Sequence, residues 1–149
     1  MRLQKIFGQE SWTLKTERVE LALTRQAGHL APVRFRVGHR WIEPFEVAPW
    51  ADEPLPAGSP LVLQVMRGDF FCLPFGANAT AWKGEQHPMH GETANAQWKL
   101  KSADDAHLHV SLRTRIRPGR VDKYLRLIPG QAASARHNSW TKAGAPTCT

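Results

Sequence analysis

The chain has 149 residues, which is enough for one domain with a hydrophobic core but not for two domains. Its 42% hydrophobic and 22% charged residues are ordinary for a globular protein, and no apolar run approaches the ~20 residues that a membrane-spanning helix needs. Two cysteines cannot build a disulfide framework, and the first residues lack the apolar stretch of a secretory signal, so the sequence predicts a cytoplasmic protein with no membrane partner.

The net charge of +7 is compatible with a nucleic-acid or other anionic partner. The basic residues are spread along the chain and mostly alternate with other residues, as Arg34 and Arg36 do, and as Arg113, Arg115 and Lys123 do later. Alternating charge on a strand is typical of a solvated sheet face. The sequence therefore favours solvated faces and makes nucleic acid an unlikely partner.

In the first half of the chain, alternation of apolar and polar residues predicts strands near residues 18–25, 32–37 and 60–66. Residues 41–47 form a further extended run, in which Pro44 favours an edge strand or an irregular one. The proline-rich stretch that follows this run predicts a surface loop.

In the second half, the same alternation predicts strands near residues 97–101, 107–117 and 121–128. The last two are expected to form a hairpin, because a Pro-Gly pair separates them. Residues 132–149 are small and polar and neither alternate nor carry aliphatic side chains, so they predict an irregular tail. The predicted fold is an all-β antiparallel β-sandwich.

Two neighbouring motifs carry the chemistry. Residues 70–76 have the sequence FFCLPFG, and residues 87–98 have the sequence HPMHGETANAQW. His90 precedes a glycine that permits a sharp turn and the close approach of a ligand, and a loop imidazole can transfer a proton near neutral pH. Phe75 and Trp98 offer apolar rings on which a sugar can stack. His90 is therefore the first candidate catalytic residue, and the alternative is a structural loop histidine.

These motifs resemble the aldose 1-epimerase (galactose mutarotase-like) family, and most closely its hexose-6-phosphate epimerase-like branch. The resemblance extends over residues 19–131 and is most specific over residues 67–98. It implies a galactose mutarotase-like β-supersandwich that binds a hexose or hexose phosphate without a cofactor. In the family, an acid and a base open the sugar ring, and ring closure delivers the other anomer.

The resemblance also implies roles for single residues. His90 would face the sugar, and His137 takes the place of a second active-site histidine, so both are predicted to be catalytic. Arg67 corresponds to an arginine that contacts the sugar or its phosphate, although this chain has Arg-Gly-Asp where the family has Arg-Gly-Gly. The other predicted substrate-binding residues are Phe75, Asn78, Glu92 and Trp98. A turn role is the alternative for Asn78.

Members of the family are much longer than this chain, and their catalytic base is a glutamate in the second half. Glu92 is close to His90 but does not match that position. The resemblance therefore implies an N-terminal half over residues 1–131, followed by an aberrant tail over residues 132–149. Such a half is expected to be a weak or inactive isomerase, and its uncovered sheet edge would favour self-association.

Two other functions stay open. A non-catalytic carbohydrate-binding β-sandwich module would bind sugar without exchanging its anomers. A cupin-like metal protein is suggested by the His-x-His pair of His107 and His109. Separately, His87 and His90 form a His-x-x-His pair that would suit a metal but lacks a second cluster of ligands. No glutamate follows the first pair at a cupin's spacing, so the sequence predicts no metal site. Cys72, in an apolar context, is predicted to be a buried and unreactive thiol.

Overall fold

The computed structural model describes residues 1–144, which form two antiparallel sheets. The five-stranded sheet contains β1 (Gln4–Ile6), β2 (Gln9–Lys15), β3 (Val19–Thr24), β4 (Leu30–Val37) and β5 (Arg40–Ile42). The four-stranded sheet contains β6 (Lys99–Ala103), β7 (His107–Thr114), β8 (Gly119–Leu127) and β9 (Ser134–Lys142). Each strand pairs with its neighbours in the chain, so both sheets are meanders. The predicted all-β antiparallel sandwich is confirmed.

One apolar core joins the two sheets, because alternate residues of each sheet turn toward the other. The five-stranded sheet contributes Trp12, Leu14, Val19, Leu21, Leu23, Leu30 and Val33. The four-stranded sheet contributes Leu108, Val110, Leu112, Val121, Leu125 and Leu127, and Trp98 joins them from the segment before β6. Burying one such aliphatic side chain contributes about 1.5–3 kcal/mol, so this shared core is the main force that holds the sheets face to face.

The strands predicted near residues 18–25, 32–37, 97–101, 107–117 and 121–128 correspond to β3, β4, β6, β7 and β8. These segments have one buried and one solvated face, and that is the situation in which apolar–polar alternation is informative.

The strand predicted near residues 60–66 was wrong, because Leu61–Gln64 form a short helix, α1. Pro60 precedes the helix, and its carbonyl accepts the Leu63 N–H at 2.9 Å. The Val62 N–H donates to Asn95 Oδ1 at 3.2 Å. The backbone groups of this segment are therefore satisfied locally and by a loop side chain, without a partner strand.

The irregular tail predicted for residues 132–149 was also wrong in its first part. Ser134–Lys142 form β9, which pairs with β8 along its whole length, from Gly119 opposite Lys142 to Leu127 opposite Ser134. β9 is an edge strand whose residues are mostly exposed, so its side chains need no apolar alternation to be compatible with the sheet. Residues 145–149 of that prediction lie outside the described residues.

Candidate functional site

The loop that carries His90 is pressed against the FFCLPFG segment. His90 has φ +61° and Gly91 has φ +74°, so the chain turns sharply through the left-handed region at two successive residues. A Cβ on Gly91 would lie 2.3 Å from the carbonyl oxygen of Leu73 and 2.5 Å from that of Pro74. Only glycine permits this approach, which fixes the position of the neighbouring His90.

The His90 ring lies beside Cys72 and Phe70. His90 Nδ1 is 3.5 Å from Cys72 Sγ, and its ring meets Phe70 edge-on with centroids 5.3 Å apart. His29 also contacts Phe70 and stacks on its ring at a centroid distance of 4.4 Å. The sequence therefore places two histidines against one phenylalanine, and only one of them had been predicted.

His29 is fully buried, and burial together with nearby Lys123 and Arg67 lowers its pKa to about 3. The ring is therefore neutral near pH 7. Its Nδ1 accepts the Arg67 backbone N–H at 3.2 Å, which places the remaining proton on Nε2. Nε2 is buried and has no hydrogen-bond partner among residues 1–144. A buried donor without a partner costs about 1–3 kcal/mol, so this atom is an unusual feature of the site.

Lys123 of β8 lies near His29 in the interior. Its side chain is 1% exposed, its ammonium donates to the Gly28 carbonyl at 2.6 Å, and it lies 4.9 Å from the centre of the Trp98 ring. Burial lowers the pKa of Lys123 to about 7, and the thiol of Cys72 acts in the opposite direction. Lys123 was predicted to be solvated and this was wrong, because it occupies a core-facing position of β8.

His29, Phe70, Cys72, His90 and Lys123 are called the histidine cluster below. Burial raises the pKa of the Cys72 thiol, and the charge of Lys123 only partly opposes this. Cys72 is therefore a thiol near neutral pH, as an unreactive cysteine should be, although its residue is only partly buried. The Lys123 amine, whose pKa is lowered to about 7, is the group of this cluster that can exchange a proton near neutral pH.

β9 contributes two further polar side chains on the face that carries Lys123. Asn138 is directly opposite Lys123 in the register, and its Oδ1 is buried without a hydrogen-bond partner in the described part of the chain. Arg136, two residues earlier, forms an ion pair with Asp69 of the loop, and burial lowers the pKa of its guanidinium. The segment predicted to be an irregular tail thus closes one side of the site.

Two predicted substrate-binding residues lie in the interior. Arg67 is 1% exposed, and its guanidinium donates to the carbonyls of Val65, Ile6 and Phe7 at 3.0–3.2 Å. It therefore fastens the β1–β2 turn to the core. Trp98 is equally buried, and its Nε1 donates to the Thr93 carbonyl at 3.1 Å. In this conformation neither side chain is open to a ligand.

Glu92 and Asn78 organise loops. The Glu92 carboxylate accepts the Arg115 N–H at 2.9 Å and the Ile116 N–H at 3.0 Å, so it holds the β7–β8 turn. Asn78 donates to the carbonyls of Thr80 and Glu85 and accepts the His87 N–H at 2.7 Å. The structure gives both side chains anchoring contacts, and for Asn78 this is the turn role that the sequence had left open.

Phe75, by contrast, is 88% exposed and borders a groove of about 180 Å³. Trp82, which is 71% exposed, borders the same groove, and we call it the aromatic groove. The polar residues that line it include His87, Arg117 and Glu85. Glu85 accepts from Arg117 Nε at 2.8 Å and lies 3.2 Å from His87 Nε2, and these hydrogen bonds lower its pKa.

The two predicted catalytic histidines are not brought together. His137 is opposite Tyr124 in the β8–β9 register, with ring centroids 6.2 Å apart, on the outer face of the four-stranded sheet. Lys123, and with it the histidine cluster, lies on the inner face of this sheet, because neighbouring residues of a strand point to opposite sides. The catalytic pairing of His90 with His137 therefore gains no support from this arrangement.

Sequence reasoning missed His29, Lys123 and Trp82. Lys123 could have been found, because it stands between Val121 and Leu125 at the apolar positions of β8. His29 follows a turn glycine and has no pattern of its own, so no local signal marks it.

Within residues 1–144, no three His, Cys, Asp or Glu side chains form a group that could hold a metal ion, and no helix is long and apolar enough to span a membrane. His109, of the predicted His-x-His pair, bonds Asp122 at 2.7 Å, while His107 lies 3.0 Å from Asp104. Comparison with known proteins gives no match to a family model, a curated protein or a solved structure.

Proposed function

We propose that this protein binds carbohydrate, a hexose or a hexose phosphate, in the aromatic groove. The observation that carries the proposal is the exposure of two large rings, Phe75 and Trp82, on one groove. Water-exposed apolar rings are unfavourable in a free monomer, whereas the C–H face of a sugar covers such a ring. The adjacent polar groups supply the few hydrogen bonds that orient a small ligand.

Arg117 favours a phosphorylated sugar among the possible ligands. Its guanidinium is held at the rim of the groove by Glu85, and a guanidinium can donate two parallel hydrogen bonds to a phosphate. His87 also lines the groove, and its Nδ1 is buried without a hydrogen-bond partner among the residues that the structure describes. We therefore expect glucose 6-phosphate to bind more tightly than glucose.

Titration with glucose, galactose and glucose 6-phosphate, observed by NMR, tests this proposal. Phe75→Ala and Trp82→Ala should each weaken binding by about two- to tenfold, the range that one aromatic contact contributes. Trp41→Ala is the matched control, because Trp41 is an exposed tryptophan on β5, outside the groove. Equal affinity in all three variants would place the sugar elsewhere and end the proposal.

Anomer exchange of the aldose 1-epimerase type is the second candidate function. Two features favour it. The position of His90 is fixed because the adjacent Gly91 packs against Leu73, and the Lys123 amine of the same cluster has a pKa of about 7. Acid–base ring opening needs two proton-transferring groups, and each typically contributes ~10²–10⁴-fold. Glu92, bound to the β7–β8 turn, is poorly placed to be one of them.

We therefore expect slow exchange from this chain. Polarimetry on freshly dissolved α-glucose 6-phosphate measures it directly, with His90→Gln as the variant that should remove any acceleration. Fast exchange that survives His90→Gln would show that the proton-transferring groups lie outside the histidine cluster.

We further propose a cytoplasmic location and self-association through β9. Cys72 is a free thiol, which suits a reducing compartment. β9 is a nine-residue edge strand with mostly exposed side chains, and such an edge offers unpaired backbone groups to a second chain. Sedimentation velocity over a concentration series would show a dimer, and a monomer at all concentrations would exclude this association.

A further inference from the structure

The four-stranded sheet gathers positive charge in one groove. The groove has a volume of about 910 Å³, and five of the side chains that line it are cationic: Lys99, Lys101, Arg113, Arg115 and Arg120. Arg113 and Arg120 are directly opposite each other in the β7–β8 register, where like charges repel. The alternation that predicted a solvated face thus brings these cations together on one surface.

Little negative charge offsets these cations. Asp122 accepts from Arg120 Nε at 2.6 Å, but in the part of the chain that the structure describes no carboxylate forms an ion pair with the other four. Glu92 also lines the groove, and its carboxylate oxygens are occupied by backbone N–H groups of the β7–β8 turn. A surface on which repelling cations outnumber the carboxylates is complementary to an anionic ligand.

A row of rings lies on the outer face of the same sheet, beyond Ser111 and Asp122. His109 and Tyr124 stack with centroids 4.2 Å apart and an interplanar angle of 21°, and His137 follows on the other side of Tyr124 at 6.2 Å. Because these rings turn their faces toward one another, they present edges to the ligand. Ring edges with hydroxyl and imidazole groups suit sugar hydroxyls, whereas a nucleic-acid base needs an open ring face.

We propose that this groove and ring row bind an acidic oligosaccharide, whose sugar carboxylates contact the cations and whose hydroxyls contact the edges of His109 and Tyr124. The inference rests on the proposed function in taking the ligand to be a saccharide. Glu92 and Thr114 line both this groove and a crevice of about 80 Å³ that is also bordered by Pro74 and Arg117. Pro74 and Arg117 also border the aromatic groove, so the crevice connects the two grooves and one saccharide chain contacts both.

Calorimetric titration with an oligogalacturonate at low ionic strength tests this inference. A neutral malto-oligosaccharide of equal length and a short single-stranded oligonucleotide are the comparison ligands. We expect the oligogalacturonate to bind most tightly and its affinity to fall with added salt. Tighter binding of the neutral saccharide, or of the oligonucleotide, would overturn the proposal.

Variants separate the contributions of charge and ring edge. Arg113→Ala should weaken oligogalacturonate binding about three- to fivefold, which is the contribution of an exposed ion pair, and Lys99→Ala should act similarly. Arg36→Ala, which removes an exposed cation from β4, is the matched control and should leave binding unchanged. If Arg36→Ala weakens binding as much as Arg113→Ala does, the attraction is general and the groove is not the site.

Tyr124→Phe tests the ring edge, because it removes one hydroxyl and keeps the stack with His109. A several-fold loss of oligogalacturonate affinity is expected, and an unchanged affinity would exclude the ring row from the site. Failure of the proposed function has a different signature, since Phe75→Ala and Trp82→Ala would then leave glucose 6-phosphate binding unchanged while Arg113→Ala still weakens the oligogalacturonate.

Discussion

The buried amine of Lys123 makes the stability of this protein depend on pH above neutrality. Its pKa is lowered from 10.5 to about 7, chiefly by burial, so between these values the unfolded chain holds a proton that the folded protein has released. Unfolding therefore takes up a proton, and the free energy of unfolding rises with pH across this window. The contribution of Lys123 is lowest at and below pH 7, where the ammonium must be buried.

The size of the rise follows from the shift. One pKa unit corresponds to about 1.4 kcal/mol, and Lys123 is already half deprotonated near pH 7, so the expected gain between pH 7 and pH 9 is about 2 kcal/mol. The window ends near pH 9 because the pKa of Cys72 is raised from 9.0. Above that value the unfolded chain loses the thiol proton while the folded protein keeps it, which offsets the Lys123 contribution, so the rise in stability levels off.

Urea unfolding at several pH values between 7 and 9 measures this gain. Lys123→Met keeps the length of the side chain and removes the titrating group, so the rise should disappear, even though the Gly28 carbonyl loses its donor. Lys101→Met, at an exposed position of β6, is the control and should keep the rise. A wild-type stability that is flat from pH 7 to pH 9, or an equal rise in Lys123→Met, would refute the buried-amine argument.

Two further predictions concern the loop that carries His90. Gly91→Ala should destabilise the fold by at least about 2 kcal/mol in urea unfolding, since the new methyl group adds a clash with the Leu73 backbone to the cost of a left-handed residue. The same change at Gly84, where φ is +80° and no atom lies within 4 Å, should cost clearly less, and equal costs would contradict the packing argument. Glu92→Gln should lower stability by about 1 kcal/mol through weaker acceptance of turn N–H groups and leave any anomer exchange unchanged; lost exchange without lost stability would make Glu92 a catalytic base.

The sequence predicted the strands that have one buried face, and it failed where side-chain patterning is not what selects the structure. β9 is held by backbone pairing to β8 and by the Arg136–Asp69 ion pair, and neither requires apolar alternation. The helix at Leu61–Gln64 is apolar enough for a strand, and its conformation depends on Pro60 and on the side chain of Asn95, which is distant in the chain. The pairing that holds β9 and the distant Asn95 contact of the helix cannot be predicted from local propensity.

The candidate site was predictable to a similar degree. The proximity of His90 to Cys72 and the tight turn at Gly91 follow from the two motifs, since both belong to neighbouring loops. The interior positions of Arg67 and Trp98 do not follow from them, because an arginine is buried only if several acceptors converge on it. Those acceptors, the carbonyls of Ile6 and Phe7, come from a hairpin sixty residues away that the sequence had not predicted.

The charged residues of β7 and β8 show why apolar–polar alternation alone does not distinguish a solvated sheet face from a ligand-binding one. Alternation correctly placed Arg113 and Arg120 on the outer side of β7 and β8 and was silent about which residues oppose them. Register decides that question, since it sets the two guanidinium groups side by side and leaves Asp122 as the carboxylate that partners one of them. Alternation along β8 likewise places the amine of Lys123 in the core, between Val121 and Leu125. Polar groups whose strand register conflicts with their chemistry are therefore candidates for acting on a ligand, and the cationic groove contains such a conflict, that of Arg113 with Arg120.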